Sequence, residues 1–312
     1  MLNQSKVAIL GTGTMGRALG KGMLSAGVLE PASIHGTVKH QRELAQVRAQ
    51  VSFEVSTDND AAAGAADIIL LCTKPRDASP LLESLTQSGA LAHKPLLISI
   101  AAGISTSVLE AATGGDLRVV RAMPNTPGQI GCGVTVWTAG EHKELFTDAD
   151  IERCKGALGA LGKEIYVEEE SYVDMSTSIS GSGPAYIFLL IEAMVDAGVQ
   201  EGFSREVATI LVHQTILGSV KYAMESGEHP AVLKNSVTSP AGTTASAIYE
   251  LEKGNFRTVV QDAIWACYRR SLEMGGLDSN VGPGRSAGPN RPQNSHDSQK
   301  NGRDTTFKGF CF

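Results

Sequence analysis

The sequence predicts an α/β chain in two parts: a parallel sheet with crossover helices over residues 1–170, then an all-α domain over residues 171–275, followed by a disordered tail over residues 276–312. Three observations predict it. Short β-branched runs alternate with helical patterns in the first half, which is the signature of strands joined by crossover helices. Strand signals stop near Ser171 and long helical patterns take over. Beyond Gly275 the chain becomes a mixture of Gly, Pro, Asn, Ser and Gln in which Leu277 and Val281 are the only branched aliphatics before Phe307, too few to offset chain entropy.

Taken in order, the expected strands are Val7–Leu10 and residues 33–37, 67–72, 96–100, 118–122 and 134–138. The expected helices of the second part are residues 184–197, 204–225, 246–252 and 256–273. With 312 residues, 42% hydrophobic and 19% charged, the chain is large enough for about two domains. Lys plus Arg number 27 and Asp plus Glu 33, a net charge of -6, so no basic excess points to nucleic acid. Five scattered cysteines without a C-x-x-C pair suit a reducing compartment and argue against a metal site. The polar N-terminus carries no signal or transit pattern, so the cytoplasm is the expected location. The most apolar segment, residues 185–195, is short of the roughly 20 residues of a membrane span, so no transmembrane helix is expected.

The first strand runs into Gly11-Thr12-Gly13-Thr14-Met15-Gly16 and then a helical pattern, a dinucleotide fingerprint in its proper strand–turn–helix context. The first part therefore reads as a Rossmann-type dinucleotide-binding domain. Gly11 permits the tight turn, Gly13 lets backbone approach a pyrophosphate, and Gly16 lets the helix pack on the strand. A glycine turn with structural duties alone is the alternative. At the end of the second strand, where a cofactor with a free 2′-hydroxyl expects a carboxylate, the chain has Thr37-Val38-Lys39-His40-Gln41-Arg42. These donors and cations suit a 2′-phosphate, so NADPH is favoured, with NADH possible; the alternative is that Lys39 and Arg42 form a solvated helix start.

Ser180-Gly181-Ser182-Gly183-Pro184-Ala185-Tyr186 opens a helix that is apolar nearly all round, with Ser182 the expected N-cap. A small helical domain cannot bury such a helix from every side alone, so a partner chain is implied, against the alternative of a central helix in a monomeric bundle. Taken with Arg121-Ala122-Met123-Pro124-Asn125-Thr126-Pro127 and Val237-Thr238-Ser239-Pro240-Ala241-Gly242-Thr243-Thr244, this turn closely resembles the pyrroline-5-carboxylate reductase family over roughly residues 6–274.

That resemblance implies reduction of the C=N bond of L-1-pyrroline-5-carboxylate to L-proline with NAD(P)H. The substrate is a cyclic imino acid, and the enzyme is a homodimer through an all-α dimerisation domain. It carries substrate binding onto Ser239, Gly242, Thr243 and Thr244, with Thr244 as the catalytic hydroxyl nearest the imine nitrogen, and Asn125 on the nicotinamide side, where the alternative is an ordinary turn residue. Ala241 stands where many relatives have a first glycine, which bears on substrate affinity. Cofactor binding falls on Leu10, Gly11, Thr12, Gly13, Thr14 and Met15, on Thr37, Val38 and Lys39, on Asn59 beside the adenine, on Cys72, Thr73, Lys74 and Pro75, and on Ile100, Ala101 and Ala102. Lys74 paired with a surface carboxylate is the alternative there.

Chemistry weighs against two other functions. A 3-hydroxyacid dehydrogenase needs a lysine on the helix after the glycine-serine turn, and none occurs before Lys221. A silent NADPH-sensing module has no use for the 239–244 loop.

Overall fold

A computed structural model of the chain describes residues 2–140 and 142–283. Its described residues divide into two compact units, one formed by those up to Ser182 together with those from Cys267 to residue 283, the other by Gly183–Ala266.

The first unit is built on one eight-stranded sheet: β1 (Val7–Leu10), β2 (Ile34–Thr37), β3 (Glu54–Ser56), β4 (Ile68–Leu71), β5 (Leu96–Ser99), β6 (Val119–Met123), β7 (Gly133–Ala139) and β8 (Gly162–Tyr166). Their order is β3-β2-β1-β4-β5-β6-β7-β8. The central strands read Val-Ala-Ile-Leu, Ile-Ile-Leu-Leu and Leu-Leu-Ile-Ser with every residue buried, as expected where helices cover both faces. Alternate residues feed two cores: Ile9, Ile68, Leu70 and Ile98 on one face, Leu10, Ile69, Leu71 and Leu97 on the other. The crossovers are α1 (Thr14–Ser25), α2 (Gln41–Arg48), α3 (Asn59–Gly64), α4 (Pro75–Gln87) and α5 (Thr106–Ala112), with α6 (Asp148–Gly159) between β7 and β8. Side-chain caps set several starts: Asp58 accepts from Ala61 N, Ser105 from Val108 N, and Thr147 with Asp150 completes a capping box on α6.

All six expected strands form, but the sheet is not wholly parallel. β7 runs antiparallel to β6, because a short 3₁₀ turn over Thr126–Ile130 joins them and leaves no room for a crossover helix. β3 and β8, at the two edges, were not expected; the first is three residues long, and the second lies after a helix with little apolar content.

The first compact unit runs on past residue 170 to Ser182. α7 (Ser171–Ser176) packs on the sheet through Arg121, which is buried and pairs with Asp174 at 2.5 Å and Glu170 at 2.8 Å, while Glu170 also accepts from Thr106 N and Oγ1. Ser182 is not an N-cap. A π-turn at Thr177–Gly181 joins α7 to α8 (Gly183–Gln200), and Ser182 itself is helical at φ -91° and ψ -17°. The resulting helix, Ser171–Gln200, has 30 residues and a best-window mean hydropathy of 1.3, long and apolar enough to cross a membrane by length and composition. The sequence expectation of no such helix rested on the apolar run 185–195 alone, which Glu192 interrupts and Asp196 closes, and not on the full length of the helix.

The second unit contains α8, then α9 (Arg205–Ser226), α10 (Pro230–Ser236), α11 (Thr243–Lys253) and the first half of α12 (Phe256–Met274). α10 was not expected; the others match the sequence reading within a turn. Its buried apolar cluster is only Val195, Ala208 and Val212. The expectation of a disordered tail falls mainly on residues 284–312, which lie outside the described residues.

Candidate active site

Strand order reverses between β1 and β4, and the cleft of the first unit opens at their carboxyl ends, where open α/β sheets hold ligands. It has a volume of about 670 Å³. The three fingerprint glycines meet three separate demands there. Gly11 sits at φ +96°, and a Cβ on it would lie 2.9 Å from the Cys72 carbonyl oxygen. A Cβ on Gly16 would overlap the Gly11 carbonyl, so helix and turn could not close. At Gly13 a Cβ would meet nothing within 4 Å: the backbone faces open space on the cleft. α1 starts at Thr14 with no side-chain cap, leaving its first N–H groups aimed outward.

The turn is held by Thr37, whose carbonyl accepts from Thr12 N at 2.7 Å and whose hydroxyl accepts from Gly11 N at 3.4 Å. Gly36 lets the two segments approach, since a Cβ there would stand 2.5 Å from Thr12 Oγ1. Arg17 donates to the Thr12 carbonyl from the following turn of α1. Thr12 Oγ1 and Thr73 Oγ1 are buried on the wall of the cleft without a hydrogen-bond partner, an arrangement that a dinucleotide's phosphate and ribose oxygens would satisfy. The residues present therefore fit the cofactor. Cys72 takes no part as a nucleophile: burial pushes its thiol up to about 12.

Of the residues expected to bind cofactor, Gly11, Thr12, Gly13, Thr37, Val38, Lys39, Asn59, Cys72, Thr73 and Lys74 line this cleft. Leu10 is wholly buried in the core on one face of the sheet, Met15 packs against the core on the other, and Thr14 is exposed at the start of α1. Pro75 begins α4, while Ile100, Ala101 and Ala102 follow β5, one strand beyond β4, and none of these four lines the cleft. Sequence reasoning missed Arg76 and Asp77, which the first turn of α4 brings to the wall, and Arg42 does not reach it. Asn125 binds both ways to backbone: its Nδ2 donates to the Ser180 carbonyl at 3.1 Å, and its Oδ1 accepts from Val134 N at 2.9 Å. Its side chain thus ties the π-turn to β7.

In the second unit, residues 239–244 lead into α11. Thr238 is anchored first, its N–H bonding the Asn235 carbonyl and its hydroxyl the Lys234 carbonyl at 2.7 Å. Ser239 to Gly242 then make a β-turn closed by Gly242 N on the Ser239 carbonyl, with Pro240 at its second position and Ala241 at φ +58°. A Cβ on Gly242 would overlap Ser239 Oγ. Gly242 is the N-cap of α11 and has no side chain to close it, so the N–H groups of Thr243, Thr244 and Ala245 have no intrahelical acceptor. Thr243 is exposed and Thr244 half-buried; neither hydroxyl is the cap.

The two halves match family models separately. Residues 170–274 match the model described as pyrroline-5-carboxylate reductase dimerisation, and residues 6–103 that described as NADP oxidoreductase, coenzyme F420-dependent. A pyrroline-5-carboxylate reductase of Methanosarcina acetivorans is 37% identical over 274 residues, 88% of this chain and 99% of the relative. The chain belongs to the pyrroline-5-carboxylate reductase family. One of Arabidopsis thaliana is 36% identical over 86% of this chain and 95% of its own length. Among solved structures, the Plasmodium falciparum pyrroline carboxylate reductase with NADP bound superposes with a TM-score of 0.80 at 31% identity, over 88% of this chain and all of that one. The chain is thus an oxidoreductase with an NAD(P)H site, and the resemblance carried by the three motifs holds over the whole chain before the tail.

Proposed function

We propose that this reductase prefers NADPH to NADH, holds the substrate carboxylate on the uncapped first turn of α11, and works in the cytoplasm as a homodimer joined through its C-terminal helices. Its reaction is that of its family: reduction of the C=N bond of L-1-pyrroline-5-carboxylate to L-proline, the last step of proline biosynthesis. Bound NAD(P)H supplies the hydride. A cyclic imine is reduced readily once protonated, so the chain has to fix the carboxylate, orient the ring and offer one hydrogen-bonding group at nitrogen.

The observation that carries this reading is the glycine N-cap of α11. Three outward N–H groups at the positive end of an 11-residue helix form an anion site of the right size for a carboxylate. Thr244, one residue into the helix, is the hydroxyl assigned to the imine nitrogen, and Ser239 and Thr243 line the same loop. For NADPH, the support is the absence of an acid on Thr37-Val38-Lys39-His40 and the presence of Lys39, His40 and Arg76 around that end of the cleft. For the dimer, it is the exposure of Phe188, Leu189, Ile210 and Val220 on α8 and α9 of a single chain. A second copy covering them also accounts for the apolar length of Ser171–Gln200 without a membrane.

Mixing purified protein with pyrroline-5-carboxylate and either reduced nicotinamide cofactor, and following loss of its absorbance, tests the reading directly. A higher kcat/KM with NADPH is expected; a preference for NADH rejects the cofactor assignment. Lys39→Ala should lower kcat/KM with NADPH and leave that with NADH nearly level, because a surface cation on a 2′-phosphate acts only on the ligand that carries one.

A further inference from the structure

Lys39, the cation assigned to the 2′-phosphate, already has an anion. Its Nζ lies 2.8 Å from Asp77 Oδ1, a residue 38 positions later in the first turn of α4. The other carboxylate oxygen, Asp77 Oδ2, stands 3.8 Å from Arg76 Nε. All three side chains line the same end of the cleft. The carboxylate therefore sits among the cations that the phosphate would use.

We propose that Asp77 sets cofactor specificity by competing with the 2′-phosphate for Lys39, so that it narrows the preference for NADPH over NADH. The inference rests on the assignment of Lys39 to the 2′-phosphate. A phosphate that approaches Lys39 must share the ammonium with Asp77 or displace it, and in either arrangement two like charges come within a few ångströms of each other. A 2′-hydroxyl carries no charge and meets no such repulsion. Protonation does not relieve the competition near neutral pH, because the Lys39 hydrogen bond and the neighbouring cations hold the Asp77 carboxyl below its ordinary range. The carboxylate also lies too far along the chain to be the acid that normally follows the second strand; it reaches this end of the cleft from α4.

Calorimetric titration of NADP⁺ and NAD⁺ into the full-length wild type, Asp77→Asn and Lys39→Ala tests it without turnover. Asp77→Asn should tighten NADP⁺ by about three- to tenfold, the size expected of one screened like-charge contact, and change NAD⁺ by less than about twofold. The gain should shrink at high salt. Lys39→Ala should weaken NADP⁺ selectively. Equal tightening of both cofactors by Asp77→Asn, or weaker NADP⁺ binding, overturns the role of Asp77. A selective response to Lys39→Ala with none to Asp77→Asn also overturns that role but leaves the phosphate assignment standing, whereas no selective response to either variant overturns the assignment itself.

Discussion

The two units differ in how much of their apolar surface they hide within one chain. In the sheet unit the central strands are buried residue by residue and each face carries its own core. In the helical unit three buried residues form the cluster, while Phe188 and Leu189 on α8 stay 58% and 67% exposed. The first unit can hold its cofactor cleft by itself. The second leaves its helices largely exposed within one chain, and residues 170–274 match the model described as pyrroline-5-carboxylate reductase dimerisation.

Placing a charge on the exposed face of α8 is the strongest way to break this contrast. Leu189→Asp should abolish the dimer, since an unpaired carboxylate in an apolar interface costs several kcal/mol or more. Light scattering should give a monomer, catalysis should fall to near zero, and NADP⁺ should still bind. A dimer of unchanged mass would move the interface off α8.

The next effect concerns the seam that keeps α7 with the sheet. Arg121 is 4% exposed and serves two carboxylates, so Arg121→Ala leaves Asp174 buried without its charge partner. A loss of about 3–5 kcal/mol is expected, read as a lower melting temperature, and the double variant Arg121→Met with Asp174→Leu should lose much less. If both variants melt alike, the pair contributes only packing.

How far these features were legible depends on their range along the chain. The glycine turn was legible because Gly11, Gly13 and Gly16 act within six residues, and local geometry decides each one. Runs such as Ile-Ile-Leu-Leu in β4 announced themselves by composition. The break at Ser182 was misread because Ser180-Gly181-Ser182-Gly183-Pro184 has the chemistry of a helix start, while the π-turn that carries the helix through depends on packing: Asn125 bonds the Ser180 carbonyl across 55 residues. Strand β3, Glu54-Val55-Ser56, has too few residues to show alternation, and it pairs only because β2 lies beside it. Asp77 was invisible for a similar reason, because nothing near it in sequence links it to Lys39. The loop at residues 239–244 was singled out through the resemblance, but its glycine cap and the strain at Ala241 needed backbone angles.

Within the helical unit, the loop before α11 offers a finer contrast between hydroxyls and backbone. On the role proposed for Thr244, Thr244→Ala would remove one hydrogen bond to a charged iminium and should lower kcat/KM by roughly one to two orders of magnitude, since such bonds contribute about 1.5–3 kcal/mol. NADPH affinity, set in the other unit, should stay level, and Thr243→Ala should do less. Full kcat/KM in Thr244→Ala would mean that the backbone N–H groups suffice and the proton comes from water.

The smallest expected effect is at Ala241, the third position of the turn that delivers those N–H groups. At φ +58° it occupies the left-handed region, which costs an L-residue roughly 1–2 kcal/mol and a glycine nothing. Ala241→Gly therefore removes strain from the folded loop while adding freedom to the unfolded chain worth about 0.4–1 kcal/mol, so the net gain should be about 0.5–1 kcal/mol. At fixed protein concentration the melting temperature should rise by a degree or two, and KM for pyrroline-5-carboxylate should fall by no more than about threefold, because a turn held without strain presents the first N–H groups of α11 in one orientation. A lower melting temperature would show that Ala241 relaxes out of the left-handed region in solution. An unchanged KM with a higher melting temperature would separate the two consequences, leaving the strain real and the carboxylate insensitive to it.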